Sequence, residues 1–89
     1  MGLVLLRNAR FPWLGLQIDA LFDPGVLHLC IPQRVCDRLQ LERIGERRRL
    51  PYVGPLEVRI AGSAGFVGAL VTGEKVVLGA IPLQTLELA

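Results

Sequence analysis

Residues 20–32, "ALFDPGVLHLCIP", place an acidic side chain on a tight turn between two apolar runs. Before the turn, residues 14–22 alternate between apolar and other side chains, which is typical of a half-buried strand that ends just before Asp23. After the turn, residues 26–31 predict a second strand, which Pro32 ends. Because Asp, Pro and Gly all favour turns, this stretch alone fits an ordinary solvated turn as well as a functional carboxylate.

A catalytic role for Asp23 requires a second carboxylate, and the sequence contains a single Asp-x-Gly. Two carboxylates about 3 Å apart share one proton, so that one activates water as a base while the other protonates the substrate carbonyl. A two-fold axis near the turn would bring Asp23 against the same residue of a second copy. The catalytic interpretation therefore predicts a homodimer.

The rest of the chain predicts short strands separated by turns. Further strands are expected over residues 2–7, 56–61, 66–71 and 76–81. Such a pattern, with about six strands and one inserted helix, predicts a mainly β small barrel or sandwich. Residues 1–89 are expected to form a single domain.

Two helices and one irregular segment complete the prediction. Pro32 suits the first position of a helix with Val35, Cys36 and Leu39 on its inner face, and Gly45 is expected to end this helix or the loop after it. Residues 46–55 predict a loop or a short, irregular hairpin, because they are polar and interrupted by prolines. Pro82 is expected to open a short C-terminal helix.

Composition limits the classes of function. The 89-residue chain is 52% hydrophobic with a net charge of +2, which favours neither nucleic acid nor a membrane as partner. No apolar run reaches the ~18 residues of a membrane span, and no secretory signal is evident, so a cytoplasmic location is expected. Cys30 and Cys36, spaced C-x5-C, and the single histidine make no metal site, and no cofactor is expected. The high hydrophobic content favours contact with a second copy.

Four segments together resemble the retropepsin-like aspartic peptidases, in particular a small bacterial branch. They are, in order, "ALFDPGVLHLCIPQRV", "PYVGPLEVRI", "FVGALV" and "VVLGAIPL". In that family the first segment carries Asp-Thr-Gly or Asp-Ser-Gly, and the last carries two apolar residues and a glycine before a short helix. The resemblance implies a closed barrel of six or seven β-strands that hydrolyses peptide bonds as a homodimer with one active site.

The resemblance also assigns roles to residues. It implies that Asp23 is the catalytic carboxylate, that Gly25 is the turn residue beside it, and that Leu78 and Gly79 pack behind the catalytic loop. Three further residues are candidates for binding a peptide or protein substrate: Val26, His28 and Tyr52.

Two features depart from the family pattern. Pro24 stands where the family has Thr or Ser, whose hydroxyl hydrogen-bonds across the dimer and locks the two catalytic loops together. Proline supplies neither this hydroxyl nor a backbone N–H. Family members also place a β-hairpin, the flap, over the cleft, and residues 43–53 are expected to be too short for a full hairpin.

These departures leave two functions open. One is an aspartic endopeptidase of weak activity that favours acidic to mildly acidic pH. The other is a catalytically inactive dimerisation or peptide-binding module. Residues 47–49, the only charge run, fit a solvated loop; an acidic or nucleic-acid partner is the sharper alternative, although no interleaved aromatic residues support base stacking.

Overall fold

The fold is built mainly from β-strands. The computed structural model describes residues 2–88. Its elements are, in chain order, β1 (Gly2–Asn8), β2 (Gly15–Phe22), β3 (Leu29–Ile31), α1 (Gln33–Arg38), β4 (Arg43–Arg47), β5 (Leu50–Ile60), β6 (Ser63–Val71), β7 (Val76–Leu78) and α2 (Ala80–Thr85). Neither helix in this part of the chain has the length and apolar character needed to cross a membrane.

Six strands close into a barrel. They follow one another in the order β1-β2-β7-β3-β6-β5, and β1 pairs with β5 to complete the ring. β4 lies outside the ring and pairs with the first part of β5. The predicted mainly β barrel with one inserted helix and a short C-terminal helix is therefore confirmed. Closure leaves the ring strands without the long free edges that an open sheet would have.

β7 lies between the two strands that flank the Asp23 turn. It runs parallel to β2, with Phe22 opposite Leu78, and antiparallel to β3, with Leu29 opposite the same residue. The intervening residues 23–28 leave the sheet and pass the C-terminal end of β7. This topology places the Asp23 loop next to the start of α2.

A hydrophobic core fills the barrel, because alternate residues of each strand point inward. Each strand of the ring contributes side chains that are at most 1% exposed: Val4, Leu6, Ala20, Leu29, Ile31, Leu56, Val58, Ala69, Val76 and Leu78. α1 covers one side of the core with Val35, Cys36 and Leu39, as its apolar spacing predicted. Burial of each Leu, Ile or Val stabilises the fold by about 1.5–3 kcal/mol before entropy is subtracted.

The end of α1 differs from the prediction. The helix ends at Arg38, and Gly45 lies in β4 instead of terminating it. Gln40 adopts a left-handed conformation (φ 51°), which lets the N–H of Leu41 donate to the carbonyl oxygen of Cys36 at 3.2 Å. This hydrogen-bond pattern stops a helix without requiring glycine.

β3 and β7, which pair with each other next to the Asp23 loop, are shorter than predicted. β3 begins only at Leu29, because residues 26–28 use their carbonyl groups to bind the start of α2 instead of pairing within the sheet. β7 ends at Leu78, Gly79 caps α2, and Pro82 lies in the first turn of that helix, not at its first residue. Residues 26–28 and the start of α2 therefore bind each other instead of extending β3 and β7.

Residues 43–53 form a complete, though short, β-hairpin. β4 pairs with the first residues of β5, with one irregularity between Arg43 and Gly45. Arg48 and Arg49 form the two-residue turn with φ values of 53° and 65°, both positive as in a type I′ turn. The structure confirms the short, irregular hairpin that was one alternative for residues 46–55, and it corrects the expectation that residues 43–53 are too short for a full hairpin. A two-residue turn leaves enough chain for both arms, but such a turn usually carries Asn and Gly, so Arg48 and Arg49 do not signal it.

Candidate active site

Asp23 lies on the loop after β2, and its side chain is exposed. Its backbone N–H donates to the carbonyl oxygen of Leu78 at 2.9 Å. Its carboxylate oxygen Oδ1 accepts the N–H of Gly25 at 2.9 Å, and its carbonyl oxygen accepts the N–H of Val26 at 3.1 Å. The backbone therefore fixes Asp23 on both sides, while Oδ2 accepts no hydrogen bond from residues 2–88.

Pro24 occupies the second position of the turn from Asp23 to Val26. This position favours proline because the ring fixes φ at the value that the turn requires. The donors in this turn are the N–H groups of Gly25 and Val26, so none of its hydrogen bonds would use an N–H at position 24. Proline at this position therefore costs the turn none of its hydrogen bonds.

Gly79 brings α2 into contact with the Asp23 loop. Its N–H donates to the carbonyl oxygen of His28 at 3.1 Å, and the next two residues donate to the carbonyl oxygens of Val26 and Leu27 at 2.6 and 2.9 Å. A Cβ atom at position 79 would overlap the carbonyl oxygens of Val26 and His28. Only glycine allows this close approach. Gly79 and the buried Leu78 therefore both contact the Asp23 loop.

An apolar pocket of about 480 Å³ opens beside the Asp23 loop. Leu21, Val26, Cys30 and Val77 form its apolar lining, and residues 72–75 form its rim. Leu21 pairs with Val77 across β2 and β7, and Cys30 pairs with Val77 across β3 and β7, so these side chains share the outer face of the barrel. Val26, whose N–H donates to the carbonyl oxygen of Asp23, is the lining residue that connects this pocket with the Asp23 loop.

The hairpin contacts the loop through His28 and Tyr52. Their ring centroids are 5.8 Å apart in an edge-to-face arrangement, and the guanidinium of Arg47 lies 4.6 Å from the centroid of Tyr52. Gly68 on the neighbouring strand makes room for Tyr52, because a Cβ atom there would overlap its ring. The base of the hairpin is thus packed against the segment that leaves Asp23.

A solved structure supports the assignment of the fold. The EIAV protease in complex with the inhibitor HBY-793 matches this structure with a TM-score of 0.68 and 19% sequence identity, over 99% of this chain and 88% of that one. The chain has a retropepsin-like fold. No family model and no curated protein sequence matches it.

The retropepsin-like barrel brings together some of the residues singled out from the sequence. Val26 lines the pocket, whereas His28 and Tyr52 meet each other under the hairpin. Sequence reasoning missed Leu21, Cys30 and Val77 as pocket residues. One signal was present: Leu21 is a large apolar residue on the face of β2 that otherwise carries Gly15, Gln17 and Asp19.

Three titratable side chains of the barrel and α1 have shifted pKa values. Burial lowers the pKa of His28, and the positive charges of Arg47 and then Arg48 lower it further. Burial raises the pKa of the Cys30 thiol, and burial together with Asp37 raises that of Cys36. The neutral imidazole and the neutral thiols are therefore favoured. Across residues 2–88, no three His, Cys, Asp or Glu side chains are grouped as metal ligands.

Proposed function

We propose that the protein is an aspartic endopeptidase that acts as a homodimer, with one Asp23 contributed by each copy. The observation that carries this proposal is the Asp23 loop itself, beside an apolar pocket on a retropepsin-like barrel. The exposed carboxylate of Asp23 accepts the N–H of Gly25, and the backbone N–H of Asp23 donates to the carbonyl oxygen of Leu78. One copy supplies one such carboxylate, so a second copy completes the pair that the chemistry requires.

In the proposed reaction a water molecule lies between the two Asp23 carboxyl groups. The ionised group takes a proton from the water as its oxygen attacks the peptide carbonyl carbon, and the protonated group gives its proton to the carbonyl oxygen. The resulting diol then returns a proton to one carboxylate while the other protonates the amide nitrogen, and the C–N bond breaks. The products are a carboxylic acid and an amine, one water is consumed, and the pair again holds one proton. Acidic to mildly acidic pH favours this singly protonated pair.

Exposed apolar side chains around the Asp23 turn support the homodimer. Phe22, Leu27 and Ile81 are 39%, 46% and 38% exposed. Phe22 precedes Asp23 in the chain, and the N–H of Ile81 donates to the carbonyl oxygen of Leu27 at 2.9 Å. A second copy docked on this face would remove their surface from water and bring the two Asp23 residues together. The proposal needs a peptide or protein substrate but no cofactor, nucleic acid or membrane, and a cytoplasmic location stays a prediction.

Cleavage of a peptide library at about pH 4–6 tests the proposal by comparing the parent protein with Asp23→Asn. The amide has nearly the same shape but neither takes nor gives the proton, so we expect cleavage to fall to background. Unchanged cleavage by Asp23→Asn would show that Asp23 is only a turn residue.

Pro24 favours a second candidate function, a dimerisation or peptide-binding module that does not hydrolyse its ligand. The missing hydroxyl removes one hydrogen bond that would fix the two loops against each other, which matters more to a catalytic pair than to a binding groove. This function predicts equal peptide binding by the parent and Asp23→Asn, with no cleavage by either.

A further inference from the structure

The β4–β5 hairpin concentrates positive charge at its tip. Arg47, Arg48 and Arg49 are consecutive and exposed, while the hairpin's one acidic residue, Glu46, pairs with Arg43 at 2.9 Å. Among residues 2–88, the side chains of Arg48 and Arg49 form neither a hydrogen bond nor an ion pair. Their charges are therefore free to meet a ligand.

The turn is an unfavourable place for these two side chains. Both arginines have positive φ values, 53° and 65°, in a turn type that favours Asn and Gly. Placing adjacent like charges there adds repulsion without any compensating contact within the described residues. A feature that costs stability is a reason to look for a function. Binding of a ligand of opposite charge is a function that these two arginines can provide.

The position of the tip relative to the site is fixed by contacts at the hairpin's base. Arg47 lies over Tyr52, and Tyr52 packs against His28 on the loop that carries Asp23. The charges of both Arg47 and Arg48 act on His28, so this end of the site lies within their electrostatic reach. On the rim of the apolar pocket, Glu74 and Lys75 carry opposite charges, so this rim adds no net charge to that of Asp23 and the arginines.

We propose that Arg48 and Arg49 select peptide substrates with acidic side chains flanking the apolar residue that the pocket accepts. The inference rests on the proposed function and names the substrate class of that same site. Guanidinium groups bind carboxylates through paired hydrogen bonds, which gives them a preference that a neutral hairpin lacks. An acidic peptide fits better than a nucleic acid, because Tyr52, the aromatic residue of this hairpin, is already in contact with Arg47 and His28 and no run of aromatic residues offers stacking for bases.

Binding of two matched peptides tests the inference without requiring cleavage. Both peptides have the same apolar centre, flanked in one by glutamates and in the other by glutamines, and each is titrated into the Asp23→Asn protein. We expect the acidic peptide to bind about tenfold more tightly at low salt, with the difference shrinking as salt screens the charges.

Two double variants separate the charge from the turn. Arg48→Asn/Arg49→Gly removes both charges and installs the residues that a type I′ turn prefers, so the hairpin is retained and the preference should fall to about twofold or less. Arg48→Lys/Arg49→Lys keeps the charges and should keep most of the preference. Arg38→Gln, an exposed arginine on α1 outside the pocket lining, is the matched control and should leave it unchanged.

An equal preference in the Asp23→Asn protein with and without Arg48→Asn/Arg49→Gly would overturn the inference, as would the absence of any preference in the Asp23→Asn protein itself. It is also overturned if a ten-nucleotide single-stranded RNA displaces the acidic peptide and binds more tightly. The two proposals fail separately. Selective binding by Asp23→Asn without cleavage by the parent would remove the proposed peptidase function alone, whereas equal cleavage of both peptides would remove the acidic selectivity alone.

Discussion

The backbone N–H of Asp23 donates a hydrogen bond to the carbonyl oxygen of Leu78 at 2.9 Å. The bond joins the last residue of β7 to the first residue of the loop, so β7 fixes the position at which the Asp23 loop begins. Leu78 is itself fully buried, which ties the position of Asp23 to the hydrophobic core.

Gly79→Ala tests whether the contact between α2 and the loop needs glycine. Its φ of −83° suits any residue, so the cost comes from overlap of the new Cβ with the carbonyl oxygens of Val26 and His28. We expect the free energy of unfolding, measured in urea at fixed protein concentration, to fall by about 1–3 kcal/mol. Gly15→Ala is the control, because its Cβ would make only ordinary contacts at 3.7 Å or more. Equal effects of the two substitutions would contradict this view of the loop.

Pro24→Thr tests the missing hydroxyl. If the hydroxyl forms a hydrogen bond across the dimer, it should tighten dimerisation by about twofold to tenfold, the equivalent of 0.5–1.5 kcal/mol, and raise cleavage with it. Pro24→Val has the same shape as Pro24→Thr without the hydroxyl and should not reproduce the gain. Sedimentation velocity and the peptide assay measure the two effects. The same result for both variants would show that the hydroxyl has no partner.

Leu27→Glu tests the surface around Asp23 as the dimer contact. A charge on this exposed apolar face should shift the protein to monomer at tens of micromolar in sedimentation, because it would have to be buried without a partner. Trp13→Glu is the control, because Trp13 is 76% exposed but lies away from this face. Phe22 lies beside Gly2 at the start of β1, whereas Trp13 follows the other end of that strand. Dissociation by both variants, or by neither, argues against this face.

His28 is the only histidine, so its titration can be followed directly by NMR. Because burial and then Arg47 and Arg48 lower its pKa, we expect a value below the ordinary 6.5. Arg47→Gln should raise the pKa but leave it below 6.5, since burial, the larger cause, remains. Arg38→Gln should not change it. A parent value at or above 6.5 contradicts the proximity of the hairpin to the loop.

The lowered pKa of His28 also sets a pH dependence of stability. The unfolded chain binds the proton more readily than the folded one, so the free energy of unfolding should decrease as pH falls from about 6.5 towards the folded-state pKa. His28→Asn should lose this part of the pH dependence, which urea unfolding at several pH values would measure. An identical pH dependence in both proteins would show that His28 titrates alike in the two states.

The strands and the core could be predicted from the sequence because they follow alternation. In β2, Leu16, Ile18 and Ala20 point inward as the pattern required, and Asp23 follows the end of the strand. The segments that differ from the prediction are those whose backbone groups hydrogen-bond to another element instead of to a neighbouring strand. Residues 26–28 have the sequence of a strand, yet their carbonyl groups accept hydrogen bonds from the start of α2. This contact joins distant parts of the chain, so the local sequence does not predict it.

The candidate site was predictable only in part for a similar reason. Asp23, Pro24 and Gly25 are a local sequence feature, and the family resemblance placed Leu78 and Gly79 behind them. The apolar pocket depends on the pairing of β7 between β2 and β3, a non-sequential arrangement that the order of the strands along the chain does not reveal. The hairpin could be predicted only as one of two alternatives, because its turn is made by Arg48 and Arg49 and not by residues that usually signal such a turn.

The distance between the two Asp23 carboxyl groups in a crystal structure of the dimer tests the proposed function most directly. A shared-proton pair predicts carboxylate oxygens within hydrogen-bonding reach, about 3 Å apart, on the two-fold axis. A dimer that holds these groups well beyond that reach would contradict the proposal that two copies of Asp23 form one catalytic site.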